Sequence, residues 1–195
     1  SLEYEKIVYE SGKHGIKVDK CSVDLDKMMD RKDAVIDTLA KGISGLFKKN
    51  NVTHFIGHGK ITSKTEVTIE GEKGAAEKIE ATNIVIATGS EVATMPGVEI
   101  DEKRILSSTG ALSLPKIPKS MVVIGGGYIG LEMASVWSRL GAEVTVMEYA
   151  DSIVATMDGE ISKELLKIMK KQRINFMLST KVLSAKAGDK EVKIE

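Results

Sequence analysis

Residues 121–148 read MVVIGGGYIGLEMASVWSRLGAEVTVME. The apolar run Met121–Ile124 predicts a strand, and Gly125-x-Gly127-x-x-Gly130 follows it directly. A helix is expected next, then Gly141, then a second strand ending on Glu148. Such a strand–turn–helix–strand unit holds the pyrophosphate of a dinucleotide. Gly125 permits the tight turn out of the strand. Gly127 carries no side chain, so a pyrophosphate can approach the backbone. Gly130 lets the helix pack closely on the sheet. The helix N-terminus adds unpaired N–H groups and a partial positive charge.

A GxGxxG alone is weak evidence, but here its context agrees with it. Glu148 lies at about the ~20-residue distance where an acidic residue accepts hydrogen bonds from the ribose hydroxyls. Its charge disfavours a 2′-phosphate, and no Lys or Arg occurs in Tyr149–Val154. NAD is therefore expected over NADP. The competing reading is a plain strand–turn–helix with structural glycines and a surface glutamate, which requires every element to coincide by chance.

The 195 residues suffice for one large domain or two small ones. Lys plus Arg equals Asp plus Glu at 28 each, so the net charge is zero. No basic run is interleaved with aromatics, which argues against nucleic-acid binding. No apolar stretch approaches the ~18 residues of a membrane span. Cys21 is the single cysteine, so no internal disulfide can form and a reducing compartment is expected. Cys21 reads as an ordinary thiol in a polar setting. The first residues resemble neither a secretory nor a transit peptide. Ser1 in place of an initiator Met, and an alternating Glu191–Glu195 that stops in mid-pattern, lead us to expect a processed or partial chain.

Outward from the central unit, Leu25, Met28, Met29, Val35, Ile36, Leu39, Ile43, Leu46 and Phe47 recur at helical spacing. They predict an amphipathic helix over 25–50, N-capped by Asp24, with its methionines in the core. Val52–Ile56 reads as a strand before Gly57-x-Gly59. Ile61–Ile69 and Glu77–Glu80 alternate around Gly71-Glu72-Lys73-Gly74, as in a hairpin. Ile84–Ala87 reads as a buried strand ending at Thr88-Gly89-Ser90. Residues 91–120 hold Pro96, Pro115 and Pro118, the only prolines, and read as a connector between lobes. Asp158 or Ser162 starts a helix through Gln172, with Ile161, Leu165, Leu166, Ile168 and Met169 turned inward. Ile174–Leu178 and Lys181–Ala187 are expected strands.

The stretches Thr82–Ser90, Ser107–Leu112 and Val122–Glu132, with Leu25–Met29 and Ser135–Gly141, together resemble the pyridine nucleotide–disulfide oxidoreductases over essentially the whole chain. Ser107–Leu112 and Ser135–Trp137 favour the members that oxidise protein-bound dihydrolipoamide over glutathione and mercuric reductases. The resemblance implies an α/β fold: the latter part of an FAD-binding lobe over 1–114, then a Rossmann-like NAD-binding lobe over 115–195. It places Gly59 near the adenine end of FAD, and Thr88, Gly89 and Ser90 in a second FAD-contacting turn. It assigns Gly125, Gly126, Gly127, Tyr128, Ile129, Gly130, Leu131 and Glu132 to the NAD pyrophosphate loop and helix start. Glu148 becomes the ribose acid and Val182 an apolar wall near the adenine. Tyr128 matches an aromatic lid position. Glu132 matches a glutamate paired with a lysine beside the flavin, a supporting role in hydride transfer. The plainer reading makes Tyr128 and Glu132 first-turn helix residues, Glu132 being favoured there by the helix dipole.

The family also requires an amino-terminal FAD fingerprint, a Cys-x4-Cys redox disulfide with a lysine shortly after, and a carboxyl-terminal His-x4-Glu base. None occurs in these residues, and the cysteine pair is expected just ahead of Ser1. His14, His54 and His58 fall outside the region of the base. The implied partners are lipoyl domains of 2-oxoacid dehydrogenase or glycine cleavage complexes, and a second subunit in a homodimer. The implied compartment is the mitochondrial matrix in a eukaryote and the cytoplasm in a bacterium. Two alternatives stay open: a non-catalytic dinucleotide-binding module, and another NAD(P)H-dependent flavin disulfide reductase.

Overall fold

The computed structural model describes residues 1–71 and 76–195. They form two compact units: Ser1–Asp30 with Val92–Glu195, and Arg31–Glu91.

The first unit is organised by a parallel sheet in the order β4 (Ser120–Ile124), β5 (Glu143–Met147), β6 (Asn175–Met177). Ser120 pairs with Glu143 and Ile124 with Met147, while Thr145–Met147 pair with Asn175–Met177. Helix α4 (Tyr128–Arg139) connects β4 to β5, and α5 (Gly159–Lys171) connects β5 to β6. Helices are the usual connection between parallel neighbours, because the crossover must return the chain to the same end of the sheet. The core lies between this sheet and its helices. Leu131, Ala134, Trp137, Val144, Val146, Ile153, Met169 and Ile174 are buried there, and Val144 and Val146 present the inner face of β5.

Polar side chains inside this core are paired. The Trp137 indole N–H donates to the Ala111 carbonyl at 3.1 Å, which fastens short helix α3 (Ser108–Ala111) to α4. The Ser135 and Ser138 hydroxyls donate to the side chain and backbone carbonyl of Gln172, each at 2.9 Å. The Ser162 hydroxyl donates to the Ile153 carbonyl at 2.6 Å. Asp158 caps α5 as expected, accepting from the N–H groups of Glu160 and Ile161. The inward stripe of α5 is Ser162, Leu165, Leu166 and Met169, whereas Ile161 and Ile168 are exposed. The sequence expectation put both inside. They lie just beyond the narrow arc that meets the sheet, an arc fixed by the buried Ser162 and Met169.

Strand β7 (Ala185–Ala187) pairs antiparallel with β8 (Val192–Ile194). The expected strand 181–187 therefore begins four residues late. The N–H groups of Leu183 and Ser184 point instead to the Glu195 carbonyl, at 2.7 and 3.3 Å. Helix α1 (Leu2–Glu5), which no sequence pattern indicated, is held by Arg139, whose Nε donates to Glu5 at 3.0 Å.

The second unit contains an antiparallel meander: β1 (His58–Ile61), β2 (Glu66–Glu70), β3 (Ala76–Glu80). Lys78 on β3 reaches Glu66 on β2 at 3.2 Å. Thr62 also donates to Glu66, at 2.6 Å, and these two partners hold the Glu66 carboxyl below its usual range. Of the expected hairpin connection, Gly71 is described and Glu72, Lys73 and Gly74 lie outside the described residues.

Helix α2 (Leu25–Lys49) runs from the first unit into the second. The Asp24 carboxylate accepts from the Lys27 N–H at 3.1 Å, as an N-cap does. Its first turns pack Leu25, Met28 and Met29 on the first unit's core. Val35, Ile36, Leu39, Ile43 and Leu46 are exposed, contrary to the expected continuous core stripe. An amphipathic pattern specifies which face can be buried, and burial still needs an opposing surface.

Two further corrections belong to this unit. Val52–Ile56 forms no strand; the chain is irregular and exposed there, and the strand starts later, at His58. Ile84–Ala87 also forms no strand, and Val85 and Ile86 are 87% and 71% exposed. β-propensity becomes a strand only when a neighbour completes the hydrogen-bond ladder, and no described strand pairs with 84–87. Among the described residues, no helix is long and apolar enough to cross a membrane.

Candidate dinucleotide site

The carboxyl ends of β4, β5 and β6 meet at one edge. The Gly125 N–H donates to the Met147 carbonyl at 2.8 Å, and the Glu148 N–H donates to the Met177 carbonyl at 2.9 Å. These bonds carry the ladder past the strands and set Gly125 beside Glu148. Open α/β sheets bind ligands in the crevice outside such strand ends.

The glycine loop has the geometry its spacing predicts. Gly125 has φ 102°, a conformation that favours glycine. A Cβ on Gly130 would lie 2.7 Å from the Gly125 carbonyl oxygen and 3.0 Å from Val123 Cγ1, so only glycine allows α4 to sit this close to β4. A Cβ on Gly127 would meet nothing within 4 Å. Gly127 is thus small without being crowded by the protein, and the space beside it is open to a ligand. It also N-caps α4 without a side-chain hydrogen bond. The first helical N–H groups are left for an anion. A turn, an uncapped helix start and an open approach at Gly127 fit the pyrophosphate of NAD.

Two clefts flank Glu148. One, of about 180 Å³, is lined by Gly126, Gly127, Tyr128, Glu148 and Val154–Met157. The other, of about 380 Å³, is lined by Met95, Ile124, Gly125, Met147, Glu148, Tyr149, Thr180, Lys181 and Val182. The structure thus brings Val182, which only the resemblance had assigned, to the cleft that Gly125 and Glu148 line. Val182 is buried and apolar, as expected of a wall.

Several lining residues were missed. Met95 arrives from the connector, where the Gly97 carbonyl accepts the Ala185 N–H at 3.0 Å and Val98 bridges to Ala185. The Pro96-Gly97 turn was the available signal, although nothing in it indicated a destination. Lys181 lies far outside Tyr149–Val154 in sequence, and the fold brings it from a different segment to the cleft that Glu148 lines.

Tyr128 is 63% exposed at the start of α4. Glu132 is exposed and is the fifth residue of α4, in its second turn. This corrects the plainer reading of Glu132 as a first-turn residue, since the dipole's influence falls off within one turn. Ile129 is exposed and Leu131 buried, so Leu131 anchors the loop to the core. The remaining predicted positions lie in the second unit. Gly59 is exposed on β1, and the expected turn at Thr88, Gly89 and Ser90 is an exposed irregular segment with Gly89 at φ 75°. A Cβ on Gly89 would meet nothing within 4 Å, so the segment is uncrowded there. No group of three or more metal-binding side chains occurs among the described residues.

Residues 4–195 match the family model described as pyridine nucleotide-disulphide oxidoreductase. The chain is 50% identical over 191 residues to dihydrolipoyl dehydrogenase 1, mitochondrial, of Arabidopsis thaliana, covering 98% of this chain and 38% of that protein. It is 50% identical over 193 residues to dihydrolipoyl dehydrogenase, mitochondrial, of Schizosaccharomyces pombe, with the same coverages of 98% and 38%. The crystal structure of LpdA from Mycobacterium tuberculosis superposes with a TM-score of 0.85 at 19% identity, over 98% of this chain and 42% of that one, which shows a shared fold. The chain therefore spans well under half the length of these relatives.

Proposed function

The chain belongs to the pyridine nucleotide-disulphide oxidoreductase family, and from that premise we propose that it forms part of a flavoprotein that oxidises protein-bound dihydrolipoamide to lipoamide and delivers the electrons to NAD. Residues 115–195 are the NAD-binding lobe in this reading, and residues 1–114 are the latter part of the FAD-binding lobe. The observation that carries it is the Gly125–Glu148 unit, whose turn, open backbone and acid stand together in a chain half identical to dihydrolipoyl dehydrogenases.

Bound NAD and FAD would supply the hydride chemistry. Gly125–Leu131 would hold the NAD pyrophosphate through the loop backbone and the start of α4. Glu148 would accept the ribose hydroxyls, and Val182 would cover the adenine. Tyr128 would stand as an aromatic lid over the flavin, and Glu132 would support the flavin side from the second turn of α4. Gly59 and the exposed Thr88-Gly89-Ser90 segment would contact FAD through their backbone. Dithiol exchange with a redox disulfide belongs to the whole enzyme and uses no residue of this chain.

The partners in this reading are lipoyl domains of 2-oxoacid dehydrogenase or glycine cleavage complexes, with a homodimer as the working unit. The compartment is the mitochondrial matrix in a eukaryote and the cytoplasm in a bacterium. The test is the full-length, flavin-loaded protein supplied with dihydrolipoamide and NAD. Formation of NADH supports the proposal. Failure to form it, together with turnover on NADPH and another disulfide, sinks it.

A further inference from the structure

The Glu148 carboxylate already has two partners within the protein. Its Oε2 accepts from the Gly126 N–H at 2.5 Å and its Oε1 from the Ala150 N–H at 2.7 Å. Both bonds are short and charge-assisted, the strong kind. On the other side of Gly126, its carbonyl accepts from the Val154 N–H at 2.9 Å. Val154 makes that bond with φ 42°, a rare conformation for a β-branched residue. The two peptides flanking Gly126 are thus each held, one by the Glu148 side chain and one by the Val154 backbone. Space there is tight: a Cβ on Gly126 would lie 3.1 Å from Ile153 Cγ2 and 3.2 Å from Glu148 Oε2.

We propose that Glu148 is a positioning residue for the glycine loop as well as a ribose acceptor. Its ionised carboxylate ties the loop at Gly126 to the end of β5 at Ala150. The next residue, Gly127, is the one whose backbone lies open to a ligand. An ionised carboxylate offers about four acceptor sites. Two are used by Gly126 and Ala150, which leaves two for ribose hydroxyls, so the roles coexist. A glutamine cannot replace it: one carboxylate oxygen becomes an NH₂ donor facing a backbone N–H. An aspartate keeps the charge but is one methylene too short to span both donors. The ribose half of this inference rests on the NAD reading above; the loop half stands on the free protein.

The experiment uses the full-length, flavin-loaded protein as wild type, Glu148→Gln and Glu148→Asp. Hydrogen exchange without nucleotide is followed at the Gly126 and Ala150 amides, with 131–140 of α4 as internal control. Both variants should exchange about tenfold faster at Gly126 and Ala150, given the strength of charge-assisted bonds, with α4 unchanged. Binding is then measured by calorimetry for NADH and for an analogue whose adenosine ribose lacks its 2′- and 3′-hydroxyls. A pure ribose acceptor would leave analogue affinity the same in wild type and variants. A loop-positioning residue should weaken the analogue too, by about tenfold. Unchanged protection at Gly126, protection lost equally along α4, or analogue affinity indifferent to the substitution would each overturn the proposal. If wild type binds neither nucleotide, the NAD reading fails, and the exchange arm still decides the loop role.

Discussion

Every buried apolar side chain among the described residues belongs to the unit made of Ser1–Asp30 and Val92–Glu195; the Arg31–Glu91 unit holds none. Yet both units contain the same raw material. Met121–Ile124 and Ile84–Ala87 are short, β-favouring apolar runs that lead into glycine-bearing turns. The first pairs residue for residue with β5 and is backed by α4. The second pairs with no described strand and leaves Val85 and Ile86 in solvent. The contrast separates two things a sequence pattern encodes together. Local pattern specifies what a segment can become, and the availability of a neighbour decides whether it does.

The strongest way to break this contrast is to truncate one large apolar side chain in each unit. Trp137→Ala removes a side chain that is 1% exposed, and should cost about 3–5 kcal/mol in chemical denaturation of the 195-residue chain. Leu39→Ala, on the exposed face of α2, should change stability by less than about 0.5 kcal/mol. Equal losses would mean that the α2 face is covered after all.

Glycines sharpen it next. Gly130→Ala must displace the Gly125 carbonyl or Val123, and should cost about 1–3 kcal/mol together with NADH affinity. Gly127→Ala meets no protein atom, so stability should barely move. Its methyl would stand where the pyrophosphate approaches, and NADH should bind about tenfold more weakly, roughly 1.4 kcal/mol, by fluorescence titration. A melting curve shifted as far as that of Gly130→Ala would remove Gly127 from the ligand role.

Glu148→Arg addresses cofactor choice. NAD affinity should fall, and the gain for NADP should be smaller than that loss. The arginine supplies a cation but cannot accept from Gly126 and Ala150. A clean exchange of preference would show that the loop keeps its shape without the carboxylate.

The smallest expected effect is an acid-side one at Asp101. Its carboxylate accepts from the N–H groups of Arg104, Lys103 and Ile105, which holds its pKa below the usual carboxylate value. A depressed folded pKa stabilises fully above the ordinary carboxylate range, and that contribution disappears as pH falls through the lowered value. Asp101→Asn should therefore loosen the 101–105 turn near neutral pH and change little at strongly acid pH. Amide chemical shifts of Lys103–Ile105 followed against pH would reveal it.

The nucleotide loop was legible because each of its glycines answers a separate steric demand at a fixed spacing. The Gly125 turn, the Gly130 contact and the Glu148 position could all be stated before any fold was known. Val182 needed the family resemblance, and Met95 and Lys181 could not be read at all. Met95 is held there by the Val98–Ala185 bridge and the Gly97–Ala185 hydrogen bond, which join segments far apart in sequence. The exposed stripe of α2 and the unpaired 84–87 run were misread for the same reason: periodicity carries no information about what lies opposite. Only the plainer first-turn reading of Glu132 fails, by less than a turn, which takes it away from the helix dipole.

The hydrogen bond from Trp137 to Ala111 has an optical consequence. This indole is the only one in the chain, and it is sealed within the unit that carries the glycine loop. Its emission should be blue-shifted in the folded chain and move to the red when the junction between α3 and α4 opens to water. The second unit has no chromophore of this kind, so its loosening would pass unseen in the same spectrum. One side chain thus makes the 195-residue polypeptide a selective reporter of the unit that carries the glycine loop.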